Sequence, residues 1–448
     1  MQHLSVQFAY ERISVRSLLL IAISLTGISL PGLVATSIAA EPRAAQDVAA
    51  EQSPESVGMS TKRLSRLDRN LAGYVERGEV AGVVALIARR GKVVYHRSFG
   101  QRYIEAEAAM TRDTIFRIAS MTKPIVSVAL MQLWERGRFQ LRDPISKFLP
   151  EFAEMKVAVA PADGEYLGQP YKLVEAARPI SFQHLLTHTA GLPNSYRGLT
   201  RPLYQELGSK RRPDWTVGDY VTELSKLPLN FHPGDRWEYG PATNVVGRLV
   251  EVMSGQPLDD YLDEHIFRPL EMVDTHFYLP EKKLARFAAN YRPDENGKIV
   301  LTEAPTADSR HVREPHKFFS GSGGLVSTSR DYFHFHQMML NGGELDGARV
   351  LGPRTVRLIT ANHIGDKEIW LRGPGYGFGL GYSVVTDLGQ SAMPASAGTY
   401  SWGGAFCTVF WVDPREELLG ILMTQVRPYR HLNIRQDFQT ITYQAILE

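Results

Sequence analysis

Strand-like runs stand near both ends of this chain and helical ones fill the space between them, and that distribution limits the fold more than any other feature. Residues 83–88 and 92–99 flank a turn at Arg90 and Gly91, which predicts a hairpin. Residues 408–412 and 418–423 flank Asp413, Pro414, Arg415 and Glu416, a second hairpin of the same kind. One sheet built from both ends, with helices against it and a helical insertion between, accommodates this order. No internal repeat interrupts it. A length of 448 residues, 44% of them hydrophobic and 22% charged, is globular composition with ample material for a large core.

A largely apolar helical pattern begins at Ser120. Ile125, Val126, Ala129, Leu130, Leu133 and Trp134 recur at helical spacing. Ser120 suits a helix start and Gly137 a stop, and Pro124 is tolerated in the first turn. Lys123 lies three residues on, which puts it on the same face as Ser120. A helix N-terminus favours negative charge at Ser120, and the Ser120 N–H is a spare donor for an oxyanion. A buried lysine near other cations gives up its proton more easily, so a neutral Lys123 can take the proton of Ser120 and leave a nucleophile. The Ser-x-x-Lys spacing is short, and a chain this long holds about one by chance. The spacing alone leaves an ordinary helix start as the alternative.

The N-terminus carries its own pattern. Arg12 and Arg16 precede an apolar run over 18–33, and Ser37, Ile38 and Ala39 offer small residues for cleavage. This is the layout of a secretory signal peptide over 1–39, and it predicts a periplasmic or secreted protein. A single membrane anchor is the rival, against which the run is short and contains Pro31 and Gly32. Residues 40–55, rich in Ala, Glu and Pro, predict a disordered leader. Cys407 is the one cysteine, so no internal disulfide forms. It lies in an apolar strand pattern and reads as a buried structural thiol. A net charge of +2 gives no reason to expect nucleic acid as a partner.

Between the ends, residues 156–178 read as a surface excursion and 181–188 as a short helix capped by Ser181. His184 and His188 are four apart, but without the Glu of His-Glu-x-x-His and without a third ligand they predict no metal site. Trp237, Glu238 and Tyr239 follow a turn at 231–234. Helices are expected over 242–253 and 258–267. Residues 280–317 are polar and read as irregular. Ser320 to Leu325 form a Gly-rich turn into a helix over 331–340, and match neither Gly-x-Ser-x-Gly nor a phosphate loop. The Gly-rich run 373–381 alternates with aromatics, which favours a strand or close packing over nucleotide binding. A last helix spans about 434–447.

Several of these segments, in this order, resemble the class C β-lactamase-related serine hydrolases. They are residues 116–123 with Ser120-Met121-Thr122-Lys123, Leu185-Leu186-Thr187-His188-Thr189-Ala190-Gly191-Leu192, Tyr239 with its helix, Phe267-Arg268-Pro269-Leu270, and Gly323-Gly324-Leu325-Val326-Ser327-Thr328. The resemblance covers residues 55–448. It implies an α/β (α+β) fold of the β-lactamase/transpeptidase type. The antiparallel sheet would be formed by 56–140 and 318–448, with helices on it and a mainly helical insertion at 141–317, all acting as one functional unit over 56–448. It also implies Ser120 as nucleophile, with Lys123 and Tyr239 as general base and acid.

Two departures sharpen the expectation. Where the family has Tyr-x-Asn, this chain has Tyr239-Gly240-Pro241. Where it has Lys-Thr-Gly, this chain has Trp402-Gly403-Gly404, which is similar to the family VIII carboxylesterases, hydrolases of short-chain esters. Trp402 offers apolar stacking in place of a cation and Pro241 has no side-chain hydrogen-bonding group, so the pair suits a neutral ester better than an anionic lactam or peptide. The implied oxyanion hole is the N–H of Ser120 plus that of Ala405. Gly403 and Gly404 would let substrate approach the strand backbone, and Trp402 would wall the pocket. Whether Lys123 as amine or Tyr239 as phenolate held between cations is the base stays open. The expected partner is a small-molecule ester, with no metal or cofactor required. The same acyl-enzyme would also serve a weak β-lactamase or D-amino-acid peptidase acting on cell-wall material, or an acyltransferase. A scaffold that keeps the fold without turnover is the remaining alternative.

Overall fold

Arg90 and Gly91 both take positive φ, 52° and 74°, the pair of left-handed residues that a two-residue hairpin turn requires. Around them β1 (Gly82–Arg89) folds back on β2 (Lys92–Tyr103). The computed structural model describes residues 51–161, 170–313 and 316–447. The expected signal peptide and most of the expected leader lie outside the described residues. Five further strands follow β3 (Ala108–Ala109) in the main sheet: β4 (Tyr376–Phe378), β5 (Ser383–Val385), β6 (Tyr400–Gly403), β7 (Val409–Asp413) and β8 (Leu418–Met423). Their spatial order is β4-β5-β6-β7-β8-β1-β2-β3, with every neighbouring pair antiparallel. The join between the two ends is β8 against β1, with Val84 opposite Met423 and Arg89 opposite Leu418. The expected mixed α/β fold with one antiparallel sheet made from both ends of the chain is therefore the observed one.

Every residue of β1 and β8 is buried, because helices cover both faces of the sheet. Successive side chains of a strand point to opposite faces. Val83, Ala85 and Ile87 enter one core with Leu64, Leu67 and Leu71 of α1 (Thr61–Glu76) and Phe438 of α5 (Ile434–Gln444). Val84, Leu86 and Ala88 enter the other, larger core with α2 (Thr122–Glu135), α3 (Ala242–Ser254) and α4 (Ser329–Leu340). Twelve of the 14 residues of α2 are buried. A helix apolar around its whole circumference belongs inside a core, and α2 lies there, against α3.

Local chemistry orders several stretches that read as irregular. Within 280–317, Asn290–Pro293 pairs with Ile299–Glu303 as a hairpin. Asp294 closes its turn by accepting from the Asn296 and Lys298 N–H groups, while Gly297 supplies a φ of 77°. In the 156–178 excursion, Lys156–Val159 pairs with Lys172–Glu175, and its tip at 162–169 lies outside the described residues. The end of the expected disordered leader is held. The Gln52 N–H donates to the Val93 carbonyl, Pro54–Val57 form a 3-10 turn, and the Glu55 carboxylate accepts from the Thr61 N–H at the start of α1. Cys407 is buried as expected, but in the turn between β6 and β7 with a φ of 67°, not within a strand.

Candidate active site

Ser120 sits in a single 3-10 turn, Ala119–Met121, that leads straight into α2. The turn is entered through Ala119 at a φ of 45°, a left-handed conformation that costs a non-glycine residue of order 1 kcal/mol. Its neighbours hold it there. The Ile118 N–H donates to the Leu325 carbonyl at 3.1 Å and the Leu325 N–H to Thr122 Oγ1 at 3.1 Å. Tyr332 of α4 donates to the Met121 carbonyl at 2.9 Å. Gly323 packs directly against Ala119, where an added Cβ would stand at ordinary contact, 3.4–3.6 Å.

Three of the sequence-derived residues converge. Tyr239 Oη donates to Ser120 Oγ at 2.7 Å, and Lys123 Nζ lies 3.5 Å from the same oxygen. Lys123 Nζ also donates to the Ser322 carbonyl at 2.7 Å and lies 4.6 Å from the centre of the Tyr239 ring. Lys123 is only 3% exposed and Tyr239 8%. Burial pushes the Lys123 amine down to about 7 from the ordinary 10.5. Burial is the only cause, so the neighbouring cations expected from the sequence play no part. Burial also pushes the Tyr239 phenol up to about 12, partly offset by its hydrogen bond to Ser120. Of the two bases left open by the sequence, the Tyr239 phenolate is thus the disfavoured form at neutral pH. A neutral amine has two donors and one lone pair. With one N–H held by Ser322, the lone pair is available to the Ser120 hydroxyl.

The strand residues lie beside the Ser120 turn. Trp402, 5% exposed, sits on β6 with its ring 5.4 Å from that of Tyr239. Gly403 ends the strand. A side chain on Gly404 would collide with the Ile118 carbonyl and with Thr408 Oγ1, so glycine is required for β6 to run on beside the residues preceding Ser120. The Gly404 N–H donates to the Thr408 carbonyl at 2.8 Å. Arg435 donates to the Gly404 and Thr408 carbonyls, fixing the turn that carries Ala405, which is partly exposed.

Asn244, Phe378 and Arg372 were not singled out from the sequence, and His188 was weighed there only as a metal ligand and as part of a family motif. Asn244, one turn into α3, accepts from the Ser320 hydroxyl at 3.0 Å and the Ser322 N–H at 2.9 Å, and so holds the turn whose carbonyl receives Lys123. A lone amide in the apolar run 242–253 was the available signal. His188, at a φ of 56°, lies 5.0 Å ring to ring from Tyr239. Trp237 and Phe378 pack beside it. Arg372 lies with its guanidinium 5.3 Å from the Trp402 ring, so a cation stands beside the position where the strand itself lacks one. Among the described residues no group of three or more His, Cys, Asp or Glu side chains is arranged to hold a metal ion.

Known proteins resemble this chain over most of its length. The β-lactamase family matches residues 67–440. Protein Rv1367c of Mycobacterium tuberculosis is 36% identical over 379 residues, covering 81% of this chain and 90% of its own. Esterase EstB of Burkholderia gladioli is 30% identical over 394 residues, covering 84% and 94%. Among solved structures, EstCE1, described as a hydrolase with promiscuous acyltransferase activity, is similar at a TM-score of 0.71 and 25% identity, over 85% of this chain and 99% of its own.

Proposed function

This chain belongs to the β-lactamase family and is a serine hydrolase of the esterase type, and from that premise we propose that it cleaves short-chain carboxylic esters through an acyl-enzyme on Ser120. The observation that carries the proposal is the pair of contacts at Ser120 Oγ: the Tyr239 hydroxyl at 2.7 Å and a buried Lys123 amine at 3.5 Å.

In this reading Lys123 is the base. Near neutral pH a large fraction of its amine is unprotonated, and it takes the Ser120 proton as Oγ attacks the ester carbonyl. The tetrahedral oxyanion is held by the N–H groups of Ser120 and Ala405. Tyr239, protonated and beside Oγ, passes its proton to the departing alkoxide and is refilled from the Lys123 ammonium. Water then attacks the acyl-enzyme by the same route in reverse, releasing the acid. Trp402, Gly403 and Gly404 line the acyl side. An alcohol replacing water would make the same intermediate an acyltransferase, a second reading favoured by the activity named for EstCE1. Export directed by residues 1–39 belongs to the proposal too, and the N-terminal sequence of protein recovered from the periplasm or medium tests it.

The test of the activity is release of p-nitrophenol from acetate, butyrate and octanoate esters by the wild type and by Ser120→Ala. Turnover of the shorter esters that disappears in the variant is the expected result. Equal rates in the two proteins would remove Ser120 from the mechanism. Methanol in the same assay reports acyl transfer as methyl ester.

A further inference from the structure

The mouth of the site is unusual in its charge. No charged group contributes to the Lys123 shift, yet arginines gather on the aromatic side chains around Tyr239. Arg372 donates to Ser401 Oγ at 3.1 Å and lies 5.3 Å from the Trp402 ring and 5.8 Å from that of Tyr376. The groups that act electrostatically on it are Arg435 and the phenols of Tyr376 and Tyr429, with no carboxylate among them. Arg197 stacks on Trp370 at 4.0 Å. Trp370 meets Tyr196, and Tyr196 meets Tyr239. Arg427 and Arg430 act electrostatically on Tyr196. The whole chain carries a net charge of only +2, so this concentration is local.

Among the described residues no carboxylate pairs with Arg372, and a partly buried guanidinium in that position is costly. Stacking on Trp402 and one bond to Ser401 occupy a face and one donor, and the planar fork retains further N–H donors. That fork matches a carboxylate in a two-point contact. Trp402 touches both Arg372 and Tyr239, and Tyr239 carries the hydroxyl bonded to Ser120 Oγ, so two aromatic side chains link the cation to the reacting oxygen.

We propose that the natural substrate is an ester that bears a second, free carboxylate, seated on Arg372 beside Trp402 while Ser120 attacks the ester carbonyl. This rests on the esterase reading above. The cation absent from the strand at position 402 is thereby resupplied from the segment before β4, and a neutral ester becomes the poorer substrate.

Two matched pairs test it. In 4-acetoxybenzoate and its methyl ester, the alcohol side is charged or neutral. In monomethyl and dimethyl adipate, the acyl side is. Products are measured by chromatography, and kcat/KM is divided by the hydroxide rate of each ester. The expected result is a preference of about tenfold or more for the charged member of at least one pair, which collapses toward unity in Arg372→Gln and is partly kept in Arg372→Lys. No preference in either pair in the wild type overturns the inference without any variant, and so does a preference undiminished in Arg372→Gln. Ser120-dependent cleavage of p-nitrophenyl acetate with equal treatment of both pairs refutes this inference alone. Absence of Ser120-dependent cleavage of any ester refutes the esterase reading beneath it.

Discussion

Replacing Lys123 by methionine abolishes turnover in the mechanism above, and it also produces a stability difference whose sign depends on pH. The amine is buried and held at about 7 against 10.5 for an ordinary lysine. Each tenfold change in proton affinity is about 1.4 kcal/mol, so the interval amounts to about 5 kcal/mol. Between those two pH values the unfolded chain carries a proton that the folded chain does not. Stability of the wild type therefore rises with pH across the window, by about 1.4 kcal/mol per pH unit. Below about 7 both states hold the proton and this dependence vanishes.

Methionine has similar length and no proton to lose, so the variant lacks both the cost and the slope. It also leaves the Ser322 carbonyl, which accepts from Lys123 at 2.7 Å, without that donor, at about 1–3 kcal/mol. At pH 7 the variant should be the more stable protein by about 2–4 kcal/mol. Near pH 10 the order should reverse, with a crossing at about pH 9. Urea unfolding followed by tryptophan fluorescence at pH 7, 8.5 and 10 measures the gap. Other titrating groups are common to both proteins and cancel in the difference. A gap that stays constant with pH would refute the account of Lys123 as a buried, readily deprotonated amine. In the proposed mechanism the same group sets the rate. The value of kcat/KM should climb through about pH 7 as the amine loses its proton, and then level.

Tyr239→Phe removes the hydroxyl 2.7 Å from Ser120 Oγ. It should lower kcat by about 10²–10⁴ with little change in KM, in steady-state assays on a short ester. Asn244→Leu takes away the acceptor for Ser320 Oγ and the Ser322 N–H. It should cost about 1–3 kcal/mol in urea unfolding and move the inflection of the pH–rate profile, since Ser322 fixes Lys123. Arg117→Met leaves Glu303, its partner at 2.8 Å, and the Ala288 carbonyl, at 2.7 Å, without their cation. The expected loss is about 3–5 kcal/mol, largely recovered in a double variant that adds Glu303→Leu. A single variant as stable as the wild type would mean that the pair does not hold the 290–303 hairpin.

The fold could be read because its signals are local and redundant. The two hairpins carry their turn residues beside them, and β1 and β8 read as continuous apolar runs because alternate residues enter two different cores. The hairpin at 290–303 was missed because its strands are only partly buried. No alternation separates them from loop, and the ordering comes from the Asp294 turn and from Arg117, far away in sequence. In the site, Ser120 and Lys123 are neighbours on one helical turn, so spacing alone could pair them. Tyr239 is 119 positions away, and only the resemblance could bring it in. Ser322 contributes a backbone carbonyl, which no residue type announces. Arg372 contributes a charge whose meaning depends on the absence of a carboxylate around it, and absence in space is not written in sequence.

The cause of the Lys123 shift is the instructive error. Neighbouring cations and burial both lower a lysine, and from the sequence the two cannot be separated. They predict different molecules, however. A cation beside Lys123 would also favour a phenolate at Tyr239, making the tyrosine the base. Burial acts oppositely on the two groups, stripping the amine of its proton and fixing the phenol's. The observed pair, an amine near 7 and a phenol near 12, is what burial without charge produces. One dry environment, with twelve of the 14 residues of α2 buried, is enough to favour an unprotonated amine and a protonated phenol beside a single serine.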